Sequence, residues 1–467
     1  MKVLLTHGYF INKDAAEQRI MKPYPPLGIL YISAYLNEHG IDNKIFDTTF
    51  STKENLKIFL LNKKPEYVAI YVNLMTKINV LEIIRFIKSK EELKGTKIIV
   101  GGPEVRYNAE NLLKYGADVA VIGEGEETTL ELIRTLEANK NADLSSVNGI
   151  AFLNNGKTKF TPERQLIDKL DRLPMPNRAG INIKDYQQAW KQKHKQDAIS
   201  VSTMRGCPYT CKWCSRAVYG LTYRRRSPEK VVEELKLIQE EYNPDSLWFV
   251  DDVFTISHKW LASFNDELKK QDVKINYECI TRADRMNEDV IKIMKDSGCF
   301  RVWIGAESGS QRIIDAMDRR VKVEQVREMI QLSKKNGIET GTFIMLGYPG
   351  ETEDDIEETI KHLKLSRPDH FTITVAYPIN GTEFFQEIEA RQTGDFNWDE
   401  QTDRDRDFVR TYPVKYYNYA VRRVVNEVNY SATDKDQTGV INSFLYKSKS
   451  LAAKAGMWWI RNSSRNS

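Results

Sequence analysis

The sequence predicts an α/β protein of two successive strand–helix domains, a doubly wound parallel sheet and then a partial (β/α)6 barrel, with a helical extension at the C-terminus. Three observations carry the prediction. Apolar strands alternate with helical stretches over residues 1–140 and again over 198–380, the pattern of parallel strands joined by crossover helices. Glycine and carboxylate residues gather where those strands end. A proline-spaced segment separates the two stretches. At 467 residues the chain exceeds what one hydrophobic core normally supports.

Bulk composition narrows the function classes. Lys and Arg number 69 against 65 Asp and Glu, an excess too small to argue for nucleic acid. Five cysteines, three of them between residues 207 and 214, argue against a disulfide framework and for a reducing, cytoplasmic compartment. The N-terminus reads as a strand and lacks the apolar core of a signal peptide. No uncharged apolar run approaches the roughly 18–20 residues that span a bilayer.

In chain order, strands are expected at Lys2–His7, Lys44–Asp47, Tyr67–Val72, Lys97–Val100 and Val119–Ile122. Helices are expected at Pro26–His39, Lys53–Leu61, Asn79–Lys88, Ala109–Tyr115 and Glu127–Ala138. Ligands of such a sheet sit outside the carboxyl ends of its strands. There the fourth strand runs into Gly101-Gly102-Pro103-Glu104 and the fifth into Gly123-Glu124-Gly125-Glu126. Gly101, Gly102, Gly123 and Gly125 are candidate cofactor-binding positions, because glycine lets a ligand approach the backbone; plain tight turns are the alternative. Residues 141–197 read as a connector, with a hairpin around Asn154-Asn155-Gly156, a proline-spaced linker at 173–178, and a solvated loop at Trp190–Asp197.

The second stretch has strands at Ile199–Met204, Ser246–Val250, Asn276–Ile280, Arg301–Ile304, Thr340–Leu346 and His370–Val375. Six are too few for a closed eight-stranded barrel, so a partial barrel is expected over 198–380. Arg282 and Glu307 fall at the carboxyl ends of two strands and are read as cofactor-binding. Asp252 and Glu351 fall at others and are readable as helix caps. Cys279 and Cys299 are read as core packing. Over 381–467 the expectation is surface structure at Asp395–Arg410 and helices at Tyr419–Val428 and Phe444–Ile460. The last is expected to pack over the barrel mouth, with an interfacial membrane helix as the alternative.

The most informative stretch is Arg205-Gly206-Cys207-Pro208-Tyr209-Thr210-Cys211-Lys212-Trp213-Cys214. Its C-x3-C-x2-C spacing can turn Cys207, Cys211 and Cys214 toward one metal centre, and thiolates are the usual ligands of iron–sulfur clusters. Structural zinc wants four protein ligands, and the nearest histidines, His194 and His258, lack a zinc spacing to the triplet. Three ligands suit a cubane with one iron left open.

The loop resembles the signature of radical S-adenosylmethionine enzymes. "VDDVFT", "TRADRM", "WIGAESGS" and "GYPGETEDD" are similar to the body of those proteins, especially the cobalamin-dependent class. "PPLGILYISAYL", "VGGPEV" and "ADVAVIGEGEET" resemble the Rossmann-like cobalamin-binding domain found upstream of them. The resemblance implies a 4Fe-4S cluster on Cys207, Cys211 and Cys214, with S-adenosylmethionine on the open iron. It implies reductive cleavage to a 5′-deoxyadenosyl radical and, with cobalamin, methyl transfer to an unactivated carbon of a small-molecule or lipid-like substrate. Glu307 and Arg282 are complementary to the amine and carboxylate of S-adenosylmethionine. An electron donor such as flavodoxin or ferredoxin is implied as a partner. The D-x-H-x-x-G motif of other cobalamin domains is missing, with Leu5 and Phe10 in its Asp and Gly positions, so no axial histidine is expected from His7. A non-methylating cyclase or rearrangement enzyme like the tetrapyrrole cyclases is the alternative within the class. A zinc-stabilised binding protein is the alternative outside it.

Overall fold

The fully buried run Val3–His7 forms β1, flanked in a parallel sheet by β2 (Asn43–Phe46) and β3 (Tyr67–Tyr71). β4 (Lys97–Gly101) and β5 (Val119–Val121) continue it in parallel, and β6 (Ile150–Asn154) with β7 (Lys157–Phe160) close it antiparallel. The order is β2-β1-β3-β4-β5-β6-β7. The hairpin expected in the connector is therefore hydrogen bonded to the N-terminal sheet. In this computed structural model, which describes residues 1–433 and 437–463, the chain divides into two compact units. The first comprises 1–208, 215–248 and 396–403; the second comprises 209–214, 249–395 and 404–467.

In the first unit the sheet is covered on both faces, as near-continuous apolar strands require. Along the chain come α1 (Ala15–Ile20), α2 (Leu27–Glu38), α3 (Lys53–Lys63), α4 (Lys77–Ser89), α5 (Val105–Lys114) and α6 (Glu126–Ala138). Leu56, Leu60, Val80, Ile84, Leu112 and Leu113 of α3, α4 and α5 pack against Leu4, Val68, Ile70 and Ile98. On the other face Ile29, Leu30, Leu132 and Ile133 of α2 and α6 pack against Val3, Leu5, Ala69 and Ile99. The strand order reverses between β1 and β3, which makes their carboxyl ends the expected ligand crevice.

Two expectations are corrected in this unit. Trp190–Asp197 is not a loop over most of its length, because α7 (Ile183–His194) runs through it and buries Ile183, Tyr186 and Trp190. Part of the segment expected at the surface, residues 396–403, supplies Trp398 to the core on the α4 face. There the buried Lys77 donates to the carbonyls of Trp398 and Gln401 at 2.7 and 2.5 Å. The unit also holds β8 (Ala198–Val201), the two-residue strands β9 (Met204–Arg205) and β10 (Arg224–Arg225), and α8 (Pro228–Tyr242), before β11 (Ser246–Phe249) leads out of it. Ser227 caps α8 ahead of Pro228 at its first turn.

The second unit continues the strand–helix alternation with α9 (His258–Lys270), β12 (Tyr277–Thr281), α10 (Glu288–Asp296), β13 (Cys299–Glu307), α11 (Gln311–Ala316), α12 (Val323–Lys335), β14 (Glu339–Leu346), α13 (Glu353–Ser366) and β15 (His370–Val375). β12 to β15 pair in parallel in sequence order. Counting β8 and β11, six barrel strands alternate with helices along 198–375, the partial (β/α)6 pattern. Thr352 and Asp355 form a capping box that starts α13 just past the end of β14. Cys279 and Cys299 are buried on the neighbouring strands β12 and β13, and burial pushes the Cys279 thiol well up. After α14 (Glu383–Glu389) and the short pair β16 (Gln392–Thr393) and β17 (Asp407–Phe408), α15 (Val414–Ala432) and α16 (Gln437–Ser463) pack side by side. It is α15, through Tyr417 beside Gly347, that reaches the carboxyl end of β14. α16 packs along α15, and its Arg461 pairs with Glu353 at 2.7 Å at the start of α13, just past the end of β14.

Candidate active site

The cysteine loop is anchored at both ends by residues that the sequence places far away. In the first unit, Arg205 on β9 is buried and donates to Glu124 at 2.7 Å and Glu126 at 2.5 Å. Arg224 on β10 adds a second cation to Glu124 at 2.7 Å. The Gly-Glu-Gly-Glu turn after β5 is thus an ion-pair clamp on the residue two before Cys207. Burial works against the Arg205 charge, and Glu126 and Glu124 outweigh it, raising the guanidinium well above its usual range. Gly206 has φ +85°, and a Cβ there would lie 2.6 Å from the Thr222 carbonyl, so only glycine fits the bend.

The rest of the loop, Tyr209–Cys214, is held within the second unit. The Lys212 N–H donates to the Met317 carbonyl at 3.2 Å, its own carbonyl accepts from the Phe384 N–H at 2.9 Å, and Thr210 bonds Asp318. Trp213 packs against Ile313, Met317, Tyr348 and Phe384. Cys211 is buried, and two guanidiniums point at its sulfur, Arg282 Nη1 at 3.5 Å and Arg319 Nη1 at 3.7 Å. Cys207 is half-buried and Cys214 exposed. Among the described residues no three His, Cys, Asp or Glu side chains are gathered as a finished metal set. The fit to a cluster rests on donor chemistry: three thiols on one short loop, none in a disulfide, one of them accepting from two buried guanidiniums.

Arg282 lies at the end of β12, stacked 3.8 Å over the Tyr209 ring and committed to Asp284 (2.8 Å) and the Arg319 carbonyl (2.7 Å) as well as Cys211. Glu307 ends β13 at a break in register with β14, with φ +65°, a conformation that costs a non-glycine residue. Burial raises its carboxyl, opposed by Arg319, whose Nη2 is 3.9 Å away, and by Arg282. In sequence, Arg319 sits in the charged triplet Asp318-Arg319-Arg320, which carries no local mark of a buried residue. The turn takes positive φ at Asp318 and Arg320, and Arg319 between them is buried while Arg320 stays exposed.

The sequence-expected glycines come together in the first unit. An apolar cavity of about 220 Å³ opens at the carboxyl ends of β1, β3, β4 and β5, edged by Gly101, Gly102, Gly123 and Gly125, with Tyr219 contributing a ring. Gly102 has φ +112°, and a Cβ there would meet the Val72 carbonyl at 2.5 Å. At Gly125 a Cβ would press on Ile32 at 2.9 Å. Gly101 is different: a Cβ would find no heavy atom closer than Val121 at 3.8 Å, so the missing side chain leaves open space. A polar cavity of about 300 Å³ shares Gly123 and Glu124 and is edged by Arg106, Arg164 and Arg216. His7 is not available as a ligand. Its Nε2 lies 3.0 Å from Asp47, and its Nδ1 lies 3.2 Å from the Tyr9 N–H and 2.9 Å from Thr48 Oγ1. The glycine-edged rim would let a bound cofactor lie close to the strand-end backbone, and His7 is committed to Asp47, Tyr9 and Thr48.

A 2-1-3-4-5 sheet with a glycine-edged cavity, followed by partial-barrel strands and a thiol-rich loop beside buried arginines, defines a two-domain α/β enzyme that works through bound cofactors. The profile of the radical SAM superfamily matches residues 201–363, and that of the B12 binding domain matches residues 19–133. The chain is 30% identical to an uncharacterized methyltransferase of Pyrococcus horikoshii over 397 residues, covering 83% of each protein. It is 28% identical to the anaerobic magnesium-protoporphyrin IX monomethyl ester cyclase of Rubrivivax gelatinosus, covering 83% of this chain and 70% of the cyclase. The cobalamin-dependent S-adenosylmethionine radical enzyme OxsB, solved with aqua-cobalamin, shares the fold with a TM-score of 0.76 at 18% identity, over 97% of this chain and 72% of OxsB. The chain belongs to the radical S-adenosylmethionine superfamily, in the branch that carries a B12 binding domain, and is an enzyme of that class. No helix among the described residues is long and apolar enough to cross a membrane.

Proposed function

We propose that the protein is a cobalamin-dependent radical methyltransferase acting on an unactivated carbon of a small-molecule or lipid-like substrate. The observation that carries this reading is the glycine-edged cavity of the B12 domain, kept open at Gly101 and lacking an available histidine. When bound, the 4Fe-4S cluster and S-adenosylmethionine supply a 5′-deoxyadenosyl radical, and cobalamin supplies the methyl group.

The chain's own residues bind and orient. Cys207, Cys211 and Cys214 are the proposed cluster ligands, with Arg282 and Arg319 donating to the Cys211 sulfur and moderating its charge. Glu307 is proposed to take the amine of S-adenosylmethionine, since its strained backbone turns a mostly buried carboxylate at a strand end. Arg282, whose fork is already shared with Asp284, is proposed to serve the cofactor from the side of Cys211. Gly101, Gly102, Gly123 and Gly125 are proposed to let the corrin approach the backbone. Arg106 and Arg164 at the polar cavity suit an anionic group of the same cofactor. Reduced flavodoxin or ferredoxin is the proposed electron source. A cytoplasmic setting is supported by five cysteines, none of which forms a disulfide.

A second reading is favoured by one finding, the 28% identity to a cyclase. Reconstituted holoenzyme, given an extract of its native host and S-adenosylmethionine bearing a deuterated methyl group, separates the two. A product carrying the deuterated methyl is the expected result. Substrate turnover with no label in any product would favour the cyclase reading and remove this one.

A further inference from the structure

Among the described residues, the outward face of α16 is a large apolar surface that the proposed chemistry leaves unused. The helix packs on α15 through Ser450, Ala453 and Met457, which are buried, and at Gly456 a Cβ would lie 2.5 Å from the Tyr419 ring. Phe444, Leu451 and Trp458, with the small Ser448 and Ala455 between them, recur at spacings of three and four and form a stripe away from that contact. Ile441, Leu445 and Trp459 widen it. Phe444 is 72% exposed and the two tryptophans about 60%. Among the described residues, no other element concentrates as many exposed large apolar side chains.

Charge indicates what covers this face. Residues 437–463 contain Lys447, Lys449, Lys454 and Arg461 and no Asp or Glu. Lys447 and Lys454 flank one side of the stripe and Lys449 the other, by helical spacing. The sole acid of the neighbouring α15, Glu427, is buried beneath Lys364, Lys447 and Ser450. A protein partner's apolar groove accounts for the stripe but not for cations on both borders with no acid among them. Tryptophans at the border of an apolar stripe with lysines alongside is the composition of a helix lying in a lipid headgroup layer. The helix does not qualify as a spanning segment.

We propose that α16 seats this protein on the surface of an anionic phospholipid bilayer, lying in the plane with Phe444, Leu451, Trp458 and Trp459 inserted and Lys449 and Lys454 at the phosphates. This goes beyond the reaction and does not depend on it.

The test is co-sedimentation of anaerobically purified holoprotein with vesicles of phosphatidylglycerol and phosphatidylcholine, against vesicles of phosphatidylcholine alone. Preferential binding to the anionic vesicles is expected, with a blue shift of tryptophan emission. Lys449→Glu with Lys454→Glu should weaken binding about tenfold or more. Phe444→Ser with Trp458→Ser and Trp459→Ser should abolish it, with the melting midpoint showing that the fold persists. If the serine variant does not fold, the charge variant decides, because it alters only exposed lysines. No binding to either vesicle, or binding unchanged in the charge variant, overturns the proposal. So does a wild-type dimer that the stripe variants render monomeric, since a second copy would then cover the face.

Discussion

Glycines 101 and 102 are neighbours with opposite reasons for being glycine, and that difference yields a test at the scale of one residue. Gly102 is required by its backbone, whereas Gly101 leaves space that belongs to the cavity. Gly101→Val should therefore fold with an unchanged melting midpoint and purify with cobalamin reduced at least about tenfold, read from its visible spectrum. Gly102→Ala should instead lose about 1–3 kcal/mol of stability in urea unfolding. Glu351 offers a titration. It accepts from the Gly347 N–H at 2.5 Å and is fully buried; burial pushes its carboxyl up to about 8, against the pull of that hydrogen bond. A folded pKa above the unfolded value means stability falls as pH rises from about 4.5 to about 8. Glu351→Gln should flatten that slope in melting curves across the same range.

Between elements, the strongest contacts are ion pairs that tie distant segments together. Glu126→Ala would leave Arg205 buried beside only one of its two carboxylates, and unfolding in urea should show a loss of about 3–5 kcal/mol. The α15–α16 pair depends on Glu427. Burial alone would raise this carboxyl, but Lys364, Ser450 and Lys447 outweigh it and hold it at about 2. Because the folded value lies below the unfolded one, its contribution is full above about pH 4.5 and lost as pH falls toward 2. Amide exchange in α16 should accelerate over that window, and Glu427→Gln should remove the dependence. These pairs also mark where sequence reading stops. The cysteine loop, the strand-end glycines and Glu307 were legible because their signals are local, in spacing or at a strand terminus. Arg319 was not, because only the turn around it distinguishes it from Arg320. The polar run Trp190–Asp197 hides the end of α7, whose apolar period at Ile183, Tyr186 and Trp190 begins before it. The link from Lys77 to Trp398 spans more than three hundred residues and left no trace in either segment.

Over the whole molecule, two proposed cofactor sites share one chain, each built from its own residues. The thiols at 207, 211 and 214 serve one, and the glycines of the N-terminal sheet serve the other. Cys279 and Cys299 are absorbed into the core of the second unit, so no further cluster is assembled from the remaining cysteines. The two sites should consequently be separable by mutation. Cofactor analysis of anaerobically purified protein is the most direct test: iron, sulfide, zinc and cobalamin per chain, in wild type, Cys211→Ala and Gly101→Val. The wild type should hold about four irons with matching sulfide and bound cobalamin, with loss of iron alone in Cys211→Ala and loss of cobalamin alone in Gly101→Val. A colourless, zinc-loaded wild type, or a wild type that binds no cobalamin when reconstituted, would contradict the two-site assignment.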